Sequence, residues 1–285
     1  MRDLVDNALG VLSCVALGLC ACTTPPRHST VGGPNATTQA PVAARSASAS
    51  TTKVETKRYV VERSLLSIGD RQLALHLPEG RPAPVPTVLV FHSAMGRTES
   101  VLAWCDRLAS HGFAAVALDF YDGKTASSTQ EARQLRDSAN TRTPLSKALV
   151  EQSWAAIHND HRLQATQRFL LGWSFGGAWA TYSSGFLPGV TGIIAFYGES
   201  FTDNATLYDS LQAPILFVGA EQDTDPSPDT LRRIVQELTG KGKNSHLTVI
   251  PAGHGFAERN HPGYDHDATE QSWDAVKRFL DTTAS

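Results

Sequence analysis

Short apolar runs that alternate with helix-like stretches constrain this chain most. The runs cover residues 87–91 (Thr-Val-Leu-Val-Phe), 114–118, 169–171, 192–197, 214–218 and 247–250. Each is too short for an ordinary helix but suits a strand whose two faces are both buried. Between them lie segments of helical composition at 99–111, 145–159, 176–186, 229–239 and 269–280. Strands alternating with helices predict an α/β fold with a mostly parallel central sheet and helices on both faces. Right-handed crossovers then gather the loops that follow the strands at one edge of the sheet, where such folds keep their sites. Upstream, residues 59–68 and 72–77 have strand composition and meet at Gly69-Asp70, a hairpin signal.

Of the 285 residues 41% are hydrophobic and 19% charged, enough apolar material for a sizeable core. The net charge of −3 argues against a nucleic-acid partner. Neither the ten histidines nor the four cysteines fall into a zinc-ligand spacing, and the hydrolytic reading reached below implies no metal or other cofactor. Beyond residue 22 the one cysteine is Cys105, which reads as a small buried hydrophobe on a helix.

The first 57 residues have a different character. Arg2 precedes an uncharged run, Ala-Leu-Gly-Val-Leu-Ser-Cys-Val-Ala-Leu-Gly-Leu-Cys-Ala over 8–21, which is shorter than a membrane span and has the length of a signal-peptide core. Its end resembles a bacterial lipobox. Cys22 follows the small residue Ala21 and is the expected lipidation site, whereas Cys20 follows the bulky Leu19. Residues 23–57 are rich in Thr, Ser, Ala and Pro and too poor in large apolar groups to offset the entropy of ordering, so they read as a tether. The expectation is an exported chain: signal segment 1–22, tether 23–57 and folded body 58–285, held to a membrane by a lipid anchor or else periplasmic or secreted.

Within the body, Phe169-Leu-Leu-Gly-Trp-Ser-Phe-Gly-Gly177 contains G-x-S-x-G between a strand and a helix, the setting of a nucleophile elbow centred on Ser174. A serine hydroxyl needs a base. Leu247-Thr-Val-Ile-Pro-Ala-Gly-His-Gly-Phe256 places His254 in a glycine-flanked loop after the last strand. His261 and His266, in a polar loop, read as solvent-exposed; His111 reads as a helix-end cap, and His92 follows a strand and could line a pocket. In folds carrying this elbow the chain order is serine, acid, histidine. Residues 214–226 supply a strand followed by Asp223, with Glu221 and Asp225 as rivals.

Gly172-Trp-Ser-Phe-Gly-Gly177, Gln222-Asp223 with Pro226, Gly253-His-Gly-Phe256 and Gly112-Phe-Ala-Ala-Val-Ala-Leu-Asp-Phe-Tyr121 together resemble the dienelactone hydrolase family of α/β-hydrolases, over roughly 86–280. The resemblance implies an oxyanion hole from the backbone N–H groups of Phe175 and of Ala94, with Met95 as the rival of Ala94. It also marks departures. Ser174 stands where the best-known members carry cysteine. Glu258 stands where they place an arginine that grips a substrate carboxylate, with Arg259 next to it, and Ser93 replaces an acid of the oxyanion loop. Glu258 in a pocket would repel a carboxylate unless Arg259 compensates.

The reading is a serine hydrolase of small-molecule carboxylic esters or lactones, using Ser174, His254 and Asp223. Its rivals are a serine peptidase or acyltransferase, and a non-catalytic surface lipoprotein that keeps the fold as a binding module.

Overall fold

The structure is a computed structural model and describes residues 57–198 and 205–285. The signal segment, Cys22 and the tether up to residue 56 lie outside the described residues.

Eight strands form one sheet in the order β1-β2-β4-β3-β5-β6-β7-β8. Strands β1 (Val61–Ile68) and β2 (Arg71–Pro78) make an antiparallel hairpin, in which Ile68 faces Arg71 across the Gly69-Asp70 turn. Strand β2 then pairs antiparallel with β4 (Ala114–Ala117). The remaining ladders are parallel and join β3 (Thr87–Phe91), β5 (Arg168–Trp173), β6 (Gly192–Phe196), β7 (Ile215–Ala220) and β8 (Ser245–Ile250).

The continuous apolar runs follow from two cores, one on each face. In β3, Leu89 and Phe91 face one core while Val88 and Val90 face the other. In β6, Ile193 and Ala195 face the first core and Ile194 and Phe196 the second. Because side chains alternate along a strand, covering both faces requires every position to be apolar. Helices α1 (Glu99–His111) and α7 (His266–Thr283) cover the second core with Trp104, Leu108, Val276 and Leu280. Cys105 of α1 is fully buried there, and burial pushes its thiol far above the ordinary range. Helices α3 (Thr143–Asn159), α4 (Phe175–Ser183) and α6 (Pro228–Gly240) cover the first core with Trp154, Ala180 and Leu238.

Two helices are additions to the sequence reading: α2 (Thr129–Thr141) and α5 (Ala205–Ser210). Helix α2 buries only Ala132 and Ala139, so it lacks the apolar stripe that identifies most helices. Its signal is at its start. Ser128 Oγ accepts the Glu131 N–H, and the Glu131 carboxylate accepts the N–H and hydroxyl of Ser127. Ser128-x-x-Glu131 is a capping-box pattern that the sequence displays.

Register places the site. Phe91 lies beside Gly172, Trp173 beside Phe196, Phe196 beside Val218 and Ala220 beside Ile250. The carboxyl ends of five neighbouring strands are therefore level, and their loops share one rim.

Candidate active site

The turn between β5 and α4 is built by glycine. A Cβ on Gly172 would collide with the Gly176 carbonyl, and one on Gly176 would collide with the carbonyls of Phe91 and His92. With hydrogens at both positions, α4 starts directly against β3 and β5, and Ser174 is forced to φ 51°, ψ −118°. A non-glycine residue at positive φ is strained, by about 1–3 kcal/mol in general. The Ser174 N–H is held by the Phe196 carbonyl at 2.9 Å, so the conformation is fixed from the neighbouring strand.

Ser174 Oγ lies 3.1 Å from His254 Nε2, and His254 Nδ1 lies 2.7 Å from Asp223 Oδ2. With Nδ1–H donating to the carboxylate, Nε2 is left as an acceptor for the serine hydroxyl. Asp223 is itself oriented: its Oδ1 accepts the Asp225 N–H at 3.1 Å, and its side chain is only 6% exposed. The acid loop is zipped to the segment before His254 by Glu221 N–H donating to the Ile250 carbonyl and Gln222 N–H to that of Ala252. Glu221 and Asp225 are exposed, and the hydrogen bond to the histidine belongs to Asp223.

His254 packs on the ring of Tyr197, with centroids 4.8 Å apart. His261, expected in solvent, is half-buried instead, with its ring 6.0 Å from that of His254. Burial, and then the neighbouring His254, lower its pKa. The polar loop folds back because the Gly263 N–H donates to His261 Nδ1, a contact that composition does not show. His266 is exposed as expected.

The loop after β3 carries Ala94 beside buried His92 and Ser93. His92 Nδ1–H donates to the Ser93 carbonyl at 2.6 Å, and His92 Nε2 accepts the Phe120 N–H at 3.1 Å. Both ring nitrogens are committed, so the ring is neutral, and burial lowers its pKa. His92 thus ties two loops together. Ser93 Oγ and its carbonyl accept the N–H groups of Met95 and Gly96 respectively. Among the described residues neither the Ala94 N–H nor the Phe175 N–H is engaged by a protein acceptor.

Phe120, Tyr121, Phe175 and Trp179 pack on one another within the first core, while Trp173 points into the second. Glu258 does not project toward solvent: it is 2% exposed, its Oε2 accepts the Ser93 hydroxyl at 2.5 Å and its Oε1 accepts the Tyr197 hydroxyl at 3.2 Å. Burial raises its carboxyl above the ordinary glutamate range, while Ser93, His254 and Tyr197 hold that rise back. Arg259, next to it, is exposed, and its N–H is taken by Ser100 Oγ.

A mostly parallel eight-stranded sheet, with a strained serine after β5, an acid after β7 and a histidine after β8, defines an α/β-hydrolase. Residues 73–284 match the dienelactone hydrolase family, and the chain belongs to it. A Synechocystis protein named "Putative carboxymethylenebutenolidase" is 26% identical over 243 residues, covering 78% of this chain and 97% of that protein. "Protein usf" of Aquifex pyrophilus is 28% identical, covering 68% and 87%. Among solved structures, a dienelactone hydrolase-like promiscuous phosphotriesterase from metagenomic libraries superposes with TM-score 0.68 at 20% identity, covering 79% of this chain and 99% of that one. Family and relatives make this chain a hydrolase of the ester- and lactone-cleaving kind.

Proposed function

We propose that the chain hydrolyses small carboxylic esters or lactones through an acyl-enzyme on Ser174. The observation that carries this reading is the continuous Asp223–His254–Ser174 hydrogen-bond relay at the rim of the sheet. Ser174 Oγ attacks the carbonyl carbon while its proton passes to His254 Nε2. Asp223 keeps Nε2 as the acceptor and stabilises the imidazolium. The N–H groups of Phe175 and Ala94 receive the developing oxyanion, a role worth about 3–4 kcal/mol per donor in other hydrolases. The imidazolium then protonates the leaving oxygen, and water, activated by the same histidine, releases the acid.

Glu258 in place of an arginine argues against dependence on a substrate carboxylate. Neutral p-nitrophenyl esters of increasing chain length are therefore the first substrates to test, with a serine-directed alkyl phosphonate to mark the nucleophile. Turnover with the phosphonate on Ser174 is the expected result; no turnover of any ester or lactone would sink the reading.

The enzyme is further proposed to be exported and anchored through a lipid on Cys22, on the strength of the small residue before it and the tether after it. Cells fed a fatty-acid analogue should label the parent protein and not Cys22→Ala; equal labelling of the two rules out Cys22.

A further inference from the structure

We infer that Glu258 is a positioning residue for the oxyanion loop, acting through Ser93 to leave the Ala94 N–H, rather than that of Met95, free for the substrate oxygen. The inference rests on the hydrolase reading and adds a residue to it.

Three side chains from distant parts of the chain meet under the loop. Tyr197, directly after β6, donates its hydroxyl to Glu258 Oε1 at 3.2 Å; Ser93, directly after His92, donates to Glu258 Oε2 at 2.5 Å. Glu258 belongs to the loop that carries His254, and its own N–H is fixed on the Gly255 carbonyl at 3.1 Å. A hydroxyl has one proton to give and two lone pairs to receive with. Once Ser93 gives its proton to Glu258, its lone pairs turn back into the loop, where the Met95 N–H donates to them at 3.2 Å. The Ser93 carbonyl is held in turn by His92 Nδ1–H at 2.6 Å and by the Gly96 N–H at 3.1 Å. Ser93 is thereby pinned by its side chain and its backbone alike. Met95 and Gly96 spend their donors inside the loop, and of the three residues after Ser93 the Ala94 N–H alone has no protein acceptor among the described residues.

A buried carboxylate is costly unless both oxygens are satisfied. Here two hydroxyls meet that need, and the same bonds join the histidine loop to the oxyanion loop. Glutamine at 258 would keep the shape but bring one oxygen and one N–H₂, so it could accept from Tyr197 or from Ser93 and not from both.

The test compares Glu258→Gln, Ser93→Ala, Ser93→Thr and the Glu258→Gln/Ser93→Ala double variant of the full chain on p-nitrophenyl acetate. Inhibition by an alkyl boronic acid, which adds to a serine hydroxyl as a tetrahedral anion, is measured alongside. Misplacing one donor should cost less than its removal, which takes about 10²- to 10³-fold from kcat. Each of Glu258→Gln and Ser93→Ala should lose about 10- to 100-fold in kcat with KM within about threefold. The boronate should weaken by the same factor, Ser93→Thr should recover most of the rate, and the double variant should be no worse than the poorer single one. Single variants within twofold of the parent in kcat, or a double variant that loses the product of the two single effects, overturn the inference. If Glu258→Gln does not fold, Ser93→Ala against Ser93→Thr decides it alone. An inactive parent would bring down the hydrolase reading instead, and this inference with it.

Discussion

The turn at Ser174 and the loop at residues 92–96 lie side by side above the sheet, yet they are built by opposite means. The turn is made of backbone. Gly172 and Gly176 let it press on the carbonyls of Gly176, Phe91 and His92, and the Phe196 carbonyl holds the Ser174 N–H in the strained conformation. The loop is assembled from afar: His92 binds the Phe120 N–H, Ser93 binds Glu258, and Glu258 binds Tyr197. A device packed from backbone tolerates no added atom, because rigid backbone is the collision partner. A distributed device can lose one bond and remain folded, so its failure should show in rate before it shows in stability.

The largest expected effect tests the turn as chemistry. Ser174→Ala should lower kcat by about 10⁴- to 10⁶-fold, as for residues that act as a unit, while the melting temperature stays close to that of the parent. More than a tenth of the activity remaining would remove Ser174 as the nucleophile. Gly176→Ala tests the turn as packing. Its Cβ would strike two carbonyl oxygens of β3 and the residue after it, neither of which is a movable side-chain end. Overpacking commonly costs about 1–3 kcal/mol, and here the loss should reach or exceed the top of that range, read by chemical denaturation. A variant as stable as the parent would show that the turn is not closed by glycine.

Acid should separate the two regions more gently. Burial lowers the pKa of His92, so its folded state holds a proton less readily than the unfolded chain, where histidine titrates near ~6.5. Its contribution to stability is therefore complete above that value and is lost as pH falls toward the lower folded value. His261 acts in the same sense. Glu258, raised by burial, acts oppositely, so the informative quantity is a difference in slope: between pH 7 and 5 the stability of His92→Gln should fall less steeply than that of the parent. Parallel slopes would show that His92 carries no such linkage. Over the same range kcat/KM of the parent should drop with pH as His254 takes up a proton and ceases to be a base; a flat profile with chemistry rate-limiting would count against it.

How much of this was legible before the structure depends on the range of the interactions. Strand β3 reads as a strand because Thr87 to Phe91 are apolar without a break, and the helix at 99–111 matches α1. Helix α2 escaped because two alanines make a poor stripe, although Ser128 and Glu131 announce its start. Ser174, Asp223 and His254 could be singled out because each sits in a short loop directly after a strand, and sheet register does the rest. His261 was misjudged because nothing in a polar loop tells that it folds under the histidine beside it.

By itself the sequence determined the α/β alternation, the hairpin at Gly69-Asp70 and the glycine turn at Ser174. These follow from the spacing of apolar residues and from the absence of Cβ atoms, and both are properties of a few adjacent positions. Only the tertiary structure decided where Glu258 points. Its place shortly after His254, where the family carries an arginine, suggested a charge facing substrate, whereas the fold buries it against hydroxyls 165 and 61 residues away. A side chain's partners across such distances depend on strand order and register, and a buried polar group takes whichever donors that register brings to it.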